Sequence, residues 1–198
     1  MKKLNYLTLI FFLVHSFVYS QNCSYANLSK DFTFEVKVNR MKDSCQISVL
    51  VFQKKSPEKI QAISFTSDYI FENDFTGCSS VRSYSTHIND KLQDADNDFG
   101  NIIVADFDFN GNEDIAIKRN SGGNGGPMYA FYLQKNGKFI KDVFLTSKIE
   151  FFPSHINKSQ KTLTTLVHAN ASQRCKKIYQ YYPKNEVWKL VKKVFVDY

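Results

Sequence analysis

Apolar and polar residues alternate along most of this chain with a period of two. Phe32, Phe34, Val36 and Val38 are separated by Thr33, Glu35 and Lys37, which puts the apolar set on one face of an extended strand. Short β-branched or aromatic runs follow at Ile47 to Phe52, Ile60 to Phe65, Ile102 to Ala105 and Ile115 to Ile117, with turn residues between them. Met128 to Leu133, Phe139 to Leu145, Leu163 to Val167, Ile178 to Tyr182 and Val187 to Val196 continue the pattern. The last two flank Pro183-Lys184-Asn185-Glu186, a natural hairpin connection. No window shows sustained helical periodicity with caps, although Ile156 to Lys161 has room for one short helix. About ten strands at this spacing predict an all-β fold of two packed antiparallel sheets, as a sandwich or a partial propeller.

The N-terminus follows a different logic. Lys2 and Lys3 precede the apolar run Leu7 to Val14, and Val18 and Ser20 stand where signal peptidase reads. Residues 1–20 are therefore expected to be a signal peptide, and residues 21–198 a single β domain exported to the periplasm or beyond. The apolar run is too short to span a bilayer, and no later segment approaches that length. Asn22, before Cys23, is not the small residue that lipidation requires. Removing Lys2 and Lys3 lowers the net charge from +7 to +5. The remaining lysines are scattered or lie on strands. Lys189, Lys192 and Lys193 fall on both faces of one segment, which reads as a solvated edge and not a nucleic-acid footprint.

Cys23, Cys45, Cys78 and Cys175 form an even set, which in an oxidising compartment predicts two disulfides. Three connectivities are open; the pairing favoured here is Cys23 with Cys45 and Cys78 with Cys175. No C-x-x-C spacing occurs, which argues against a thiolate metal site or a thioredoxin-type motif.

The chemistry concentrates in Asp106-Phe107-Asp108-Phe109-Asn110-Gly111-Asn112-Glu113-Asp114. Calcium takes six to eight hard oxygen ligands, and this spacing supplies them in order. Asp106, Asp108, Asn110 and Asp114 offer side-chain oxygens, and Asn112 its backbone carbonyl. Gly111 allows the sharp turn between ligands, while Phe107 and Phe109 point away and anchor the loop. Apolar strands on both sides, and Ile117 where an EF-hand carries its bidentate glutamate, make this a strand–loop–strand site. The competing interpretation is an Asx-rich turn with no ion. Three carboxylates so close together would then repel without compensation. A second acidic run, Asp94, Asp96 and Asp98, has Phe99 where the glycine should be and reads as a solvated loop; Asp94 or Asp98 could instead add a ligand to the first site.

After the strand leaving this loop comes Ser121-Gly122-Gly123-Asn124-Gly125-Gly126-Pro127-Met128-Tyr129. It lacks the Lys-Ser/Thr and following helix of a phosphate-binding loop, and by itself reads as a connecting turn. The loop itself resembles the calcium loops of FG-GAP and integrin-type repeats. Taken with Val104-Ala105 ahead of it, Asp114 to Ile117, the glycine-rich run and Tyr129 to Tyr132, the sequence resembles a family of calcium-binding envelope proteins. Its best understood members are immunity proteins linked to bacterial type IV secretion that inhibit a lysozyme-like effector in the periplasm. The resemblance implies a protein partner, a peptidoglycan hydrolase, bound by occlusion. Ser121, Gly122, Asn124 and Tyr129 would then make the contact, with calcium as the cofactor.

Catalytic signatures are missing. There is no G-x-S-x-G and no H-E-x-x-H, and His87, His155 and His168 stand in separate segments. A non-enzymatic monomer is expected. Besides inhibition, a calcium-stiffened adhesion or scaffold module binding carbohydrate or protein is a second function compatible with these residues.

Overall fold

The fold was analysed in a computed structural model that describes residues 20–78 and 97–198. The expected signal peptide, His87, Asp94 and Asp96 thus lie outside the described residues, save for Ser20, which opens the first strand. All-β architecture is what forms, but the twelve strands among the described residues divide among three antiparallel sheets of four instead of two. Each sheet is a simple meander. Sheet A holds β1 (Ser20–Tyr25), β2 (Phe32–Arg40), β3 (Cys45–Gln53) and β4 (Ser56–Ser67). Sheet B holds β5 (Ile102–Ala105), β6 (Asp114–Gly123), β7 (Gly126–Lys135) and β8 (Lys138–Lys141). Sheet C holds β9 (His155–Asn157), β10 (Thr162–His168), β11 (Gln173–Tyr182) and β12 (Val187–Asp197).

Sheet B is the middle layer, because alternate residues of its strands enter different cores. Ile102, Val104, Ile115, Ile117, Ala130 and Tyr132 pack with Phe34, Val36, Ile47 and Val49 of sheet A. Ile103, Ala105, Ala116, Tyr129, Phe131 and Leu133 pack with Leu163, Tyr179, Tyr181 and Trp188 of sheet C. A strand buried on both faces needs a continuous apolar run, and Ile102 to Ala105 is one, with every residue buried. In β2, burial instead alternates along Phe32, Phe34, Val36 and Val38, as the period-two pattern requires. The segment expected to allow a helix forms β9 and a turn. A single π-type turn, Leu145–Ile149, stands at the end of the run expected to be a strand.

A disulfide and a buried ion cluster help fasten the long connection from β4 to β5. Cys23 of β1 bonds to Cys78, their Cα atoms 4.7 Å apart. Lys118 of β6, only 1% exposed, holds Asp74 at 2.8 Å and Asp98 at 3.0 Å, one carboxylate from near each end of that connection. A lysine ammonium is tolerated in such a place only when paired.

The disulfide corrects the pairing of Cys23 with Cys45 and of Cys78 with Cys175. Cys45 opens β3 in sheet A and Cys175 lies in β11 of sheet C, with sheet B between them, and both are buried free thiols. Titration of denatured, unreduced protein should therefore find two thiols per chain. Finding none would mean that Cys45 and Cys175 are also bonded, and that the sheets are arranged differently.

Candidate metal centre and glycine hairpin

Where β5 ends, the chain turns through Asp106 to Asn112 and returns as β6. Asp106, Asp108 and Asp114 each offer a carboxylate oxygen, all within 4.8 Å of one another. The turn is shaped by its own side chains. Asn110 N donates to Asp106 Oδ1 at 3.0 Å and to Asp108 Oδ1 at 3.2 Å, and Gly111 N donates to Asp106 Oδ2 at 3.1 Å. Phe109 and Gly111 both sit at positive φ, +61° and +88°, so the glycine relieves strain at one of two left-handed positions. Phe107 is fully buried, its ring 5.1 Å from Phe131, and Phe109 rests 6.1 Å from Trp188. Both phenylalanines anchor the loop as expected.

Asp114 binds this turn to the sheet. Fully buried at the start of β6, it accepts Phe107 N at 2.7 Å on Oδ2 and Gln134 N of β7 at 2.8 Å on Oδ1. Burial nevertheless dominates and pushes its carboxyl up to about 8, with the charges of Asp108 and Asp106 adding to the rise and the two N–H donors opposing it. Asp108 is raised as well, first by burial and then by Asp106, against hydrogen bonds from Asn110. Two buried carboxylates that resist ionisation could hold a cation: a divalent ion would offset both the desolvation and the mutual repulsion. The donor set fits calcium, being all hard oxygen. Asp108, Asn110 and Asn112 also line a cavity of about 480 Å³, together with Gln134 and Lys135. Asn110 now turns its amide nitrogen to Asp108 Oδ2, 2.9 Å away, while its oxygen accepts Asn112 N at 2.7 Å. To act as a ligand, its carboxamide must turn over. Asn112 is exposed at the loop's outer edge. Asp98 is placed elsewhere: it pairs with Lys118.

The sequence reading missed Glu113. Buried between the ligand positions, it accepts Ser29 Oγ and, at 3.0 Å, Lys30 N, pinning the loop to the β1–β2 connection. An acid at a non-ligand position inside a ligand loop was the available signal. Lys118 and Asp74 were missed too, and the signal there was a lysine directly continuing the apolar run Ile115-Ala116-Ile117.

The glycine-rich segment forms the β6–β7 hairpin. Gly122 has φ +71°, and a Cβ there would stand 1.9 Å from the carbonyl oxygen of Gly126, so no side chain fits. Asn120 Oδ1 accepts Gly122 N at 2.7 Å, and Asn97 Nδ2 donates to the carbonyls of Gly125 and Leu166 at 3.1 and 3.0 Å. Of the four expected contact residues, only Asn124 is exposed, at the tip beside Gly123, while Gly122 is half-buried. Ser121 is buried, donating to Asp74 Oδ2 at 2.6 Å and accepting Phe71 N at 2.8 Å. Tyr129 is fully buried, and its hydroxyl donates to Gly100 O at 2.9 Å. Neither Ser121 nor Tyr129 is available at the surface, because period-two alternation sends Tyr129, Phe131 and Leu133 into one core. Asp114 and Gly123 also stand at opposite ends of β6, roughly 20 Å apart at strand rise along the paired residues of β7, so the acidic loop and the hairpin tip are not neighbours.

No family model matches the chain, and no curated protein matches it. Among solved structures the chain is similar to one from Xanthomonas, described as a type IV secretion system related protein. The likeness covers 83% of this chain and 78% of that one, with a TM-score of 0.53 and 16% identity. At that identity it shows a shared all-β fold. No helix among the described residues is long and apolar enough to cross a membrane.

Stability should depend on the loop's charge in a way that has a definite sign. The folded carboxyl of Asp114 lies above its unfolded value of 3.8, so without a cation the folded chain holds a proton that the unfolded chain has lost. Stability in chelator should therefore fall as pH rises from about 4 to about 8. Calcium should flatten that fall. At neutral pH a hundredfold excess over Kd should add about 2.7 kcal/mol. Asp108→Ala should remove the gain. Denaturation curves that coincide in chelator and in calcium would refute the assignment.

Proposed function

We propose that this chain is an exported, calcium-stabilised inhibitor of a lysozyme-like peptidoglycan hydrolase, acting as an immunity protein associated with type IV secretion. Asp106, Asp108 and Asp114, with Asn110 and the backbone carbonyl of Asn112, would hold the ion. The ion's contribution is charge compensation that stiffens the middle sheet. The observation that carries the reading is the hairpin tip, which is exposed yet fastened from below. Gly122 closes it, Asn97 and Asn120 hold its backbone, and Ser121 is tied to the segment from Tyr69 to Asp74. A preformed projection loses little conformational entropy on entering a cleft, which suits occlusion of an active site. The fold shared with the Xanthomonas protein and the disulfide expected of an exported chain support the same reading. The contact is assigned to Gly123 and Asn124, in place of Ser121 and Tyr129.

Co-purification against a panel of lysozyme-like hydrolases tests it. One member should bind and lose activity, and Asn124→Trp should weaken that inhibition by about tenfold or more without lowering the melting temperature. Failure to inhibit any member would refute the function. Inhibition indifferent to Asn124→Trp would refute the hairpin as the contact.

A further inference from the structure

We propose that β12 is a docking edge for an extended, acidic segment of a partner protein, which would join sheet C as an additional strand. A sheet edge presents a row of unpaired backbone donors and acceptors, and proteins usually keep such edges short or covered. Most edges here obey that rule. β9 has three residues, and β5 and β8 have four each. β4 is long, but Gln61 closes it against sheet B, its amide donating to Phe139 O at 2.7 Å and accepting Phe139 N at 2.8 Å. β12 differs. It runs for eleven residues, pairs with β11 on one side, and meets no strand on the other among the described residues.

Its side chains state what would pair with it. Val187, Leu190, Val191 and Phe195 are 37%, 49%, 51% and 54% exposed, so apolar surface lies open along the whole strand. Register places Lys189 opposite Gln180, Lys192 opposite Ile178, and Lys193 opposite Lys177, so lysines flank the edge on both faces of the sheet. Lys189 and Lys193 lie over the rings of Tyr182 and Phe195, their ammonium groups 5.3 and 5.4 Å from the centroids, and neither pairs with a carboxylate among the described residues. The nearby acids are committed: Glu186 to Lys135 at 2.6 Å, and Asp197 to Gln173 at 3.1 Å. Lysines alone would be ordinary edge protection. Lysines among half-exposed valine, leucine and phenylalanine instead make a selective edge, one that sets like charges against a second copy of itself and attracts a strand carrying glutamate or aspartate.

The test uses the full, isotope-labelled exported chain and two synthetic peptides, one alternating valine with glutamate and the other valine with lysine. The glutamate peptide should shift the amide resonances of β12, bind at least about tenfold more tightly than the lysine peptide, and weaken as salt is raised. The triple variant Lys189→Glu/Lys192→Glu/Lys193→Glu should reverse the preference while its melting temperature and its inhibition of any hydrolase stay unchanged. Equal binding of the two peptides, or shifts outside sheet C, would overturn the proposal. So would a dimer formed through β12. Binding to phosphatidylglycerol vesicles that the triple variant loses, without any preference for the glutamate peptide, would assign the edge to lipid instead.

Discussion

A sheet covered on both faces has no solvent in which to leave a polar group, and Asp114 opens the central strand of such a sheet. Its two oxygens take backbone donors from Phe107 and Gln134, so the turn after β5 and the far end of β7 are both referred to one carboxylate. That arrangement is costly while the carboxylate stands alone, because burial disfavours its charge more than two N–H donors favour it. Asp108 meets a similar penalty from burial, and Asp106 lies within a few ångströms of both. A cation there would compensate all three carboxylates. The remainder of the molecule is arranged around keeping that sheet in the middle: sheet A covers one face, sheet C the other, and Glu113 ties the acidic loop to sheet A.

The middle of β6 solves a related problem with the other sign. Lys118 is as buried as Asp114, and Asp74 and Asp98 neutralise it. The two carboxylates come from either side of the long β4–β5 connection, so a single ammonium closes that loop against the sheet. Ser121 extends the cluster to the hairpin through Asp74. The central strand thus carries a charged group at its start and another midway along it, Asp114 held by the turn before it and by β7, and Lys118 by the β4–β5 connection. The hairpin tip and the acidic loop are joined through roughly 20 Å of strand, and communicate only as far as the sheet moves as one body.

Much of this was legible in the residues. The alternation in β2 named its buried face, and the spacing of Asp106, Asp108 and Asp114 foretold three carboxylates converging on one point. The division into three sheets was present as well, in the unbroken apolar run Ile102 to Ala105, which only a strand buried on both faces requires. What could not be read were contacts between residues distant in sequence. The choice of Cys78 as partner of Cys23 depends on where the β4–β5 connection folds back, and local pattern does not record that. Tyr129 was assigned to a binding loop because the family resemblance implied it, although its spacing with Phe131 and Leu133 already placed it in a core. The resemblance suggested a surface; periodicity decided against it.

The claim on which the rest stands is that the middle sheet is completed by a cation at Asp106, Asp108 and Asp114. Hydrogen exchange at two amides, Phe107 and Gln134, reads it most directly, since both donate to Asp114. With calcium at neutral pH, both should exchange as slowly as the core amides of β6. In chelator they should exchange far faster, while amides of β2 and β3 in sheet A change much less. Protection at Phe107 and Gln134 that is identical with and without calcium would contradict the claim.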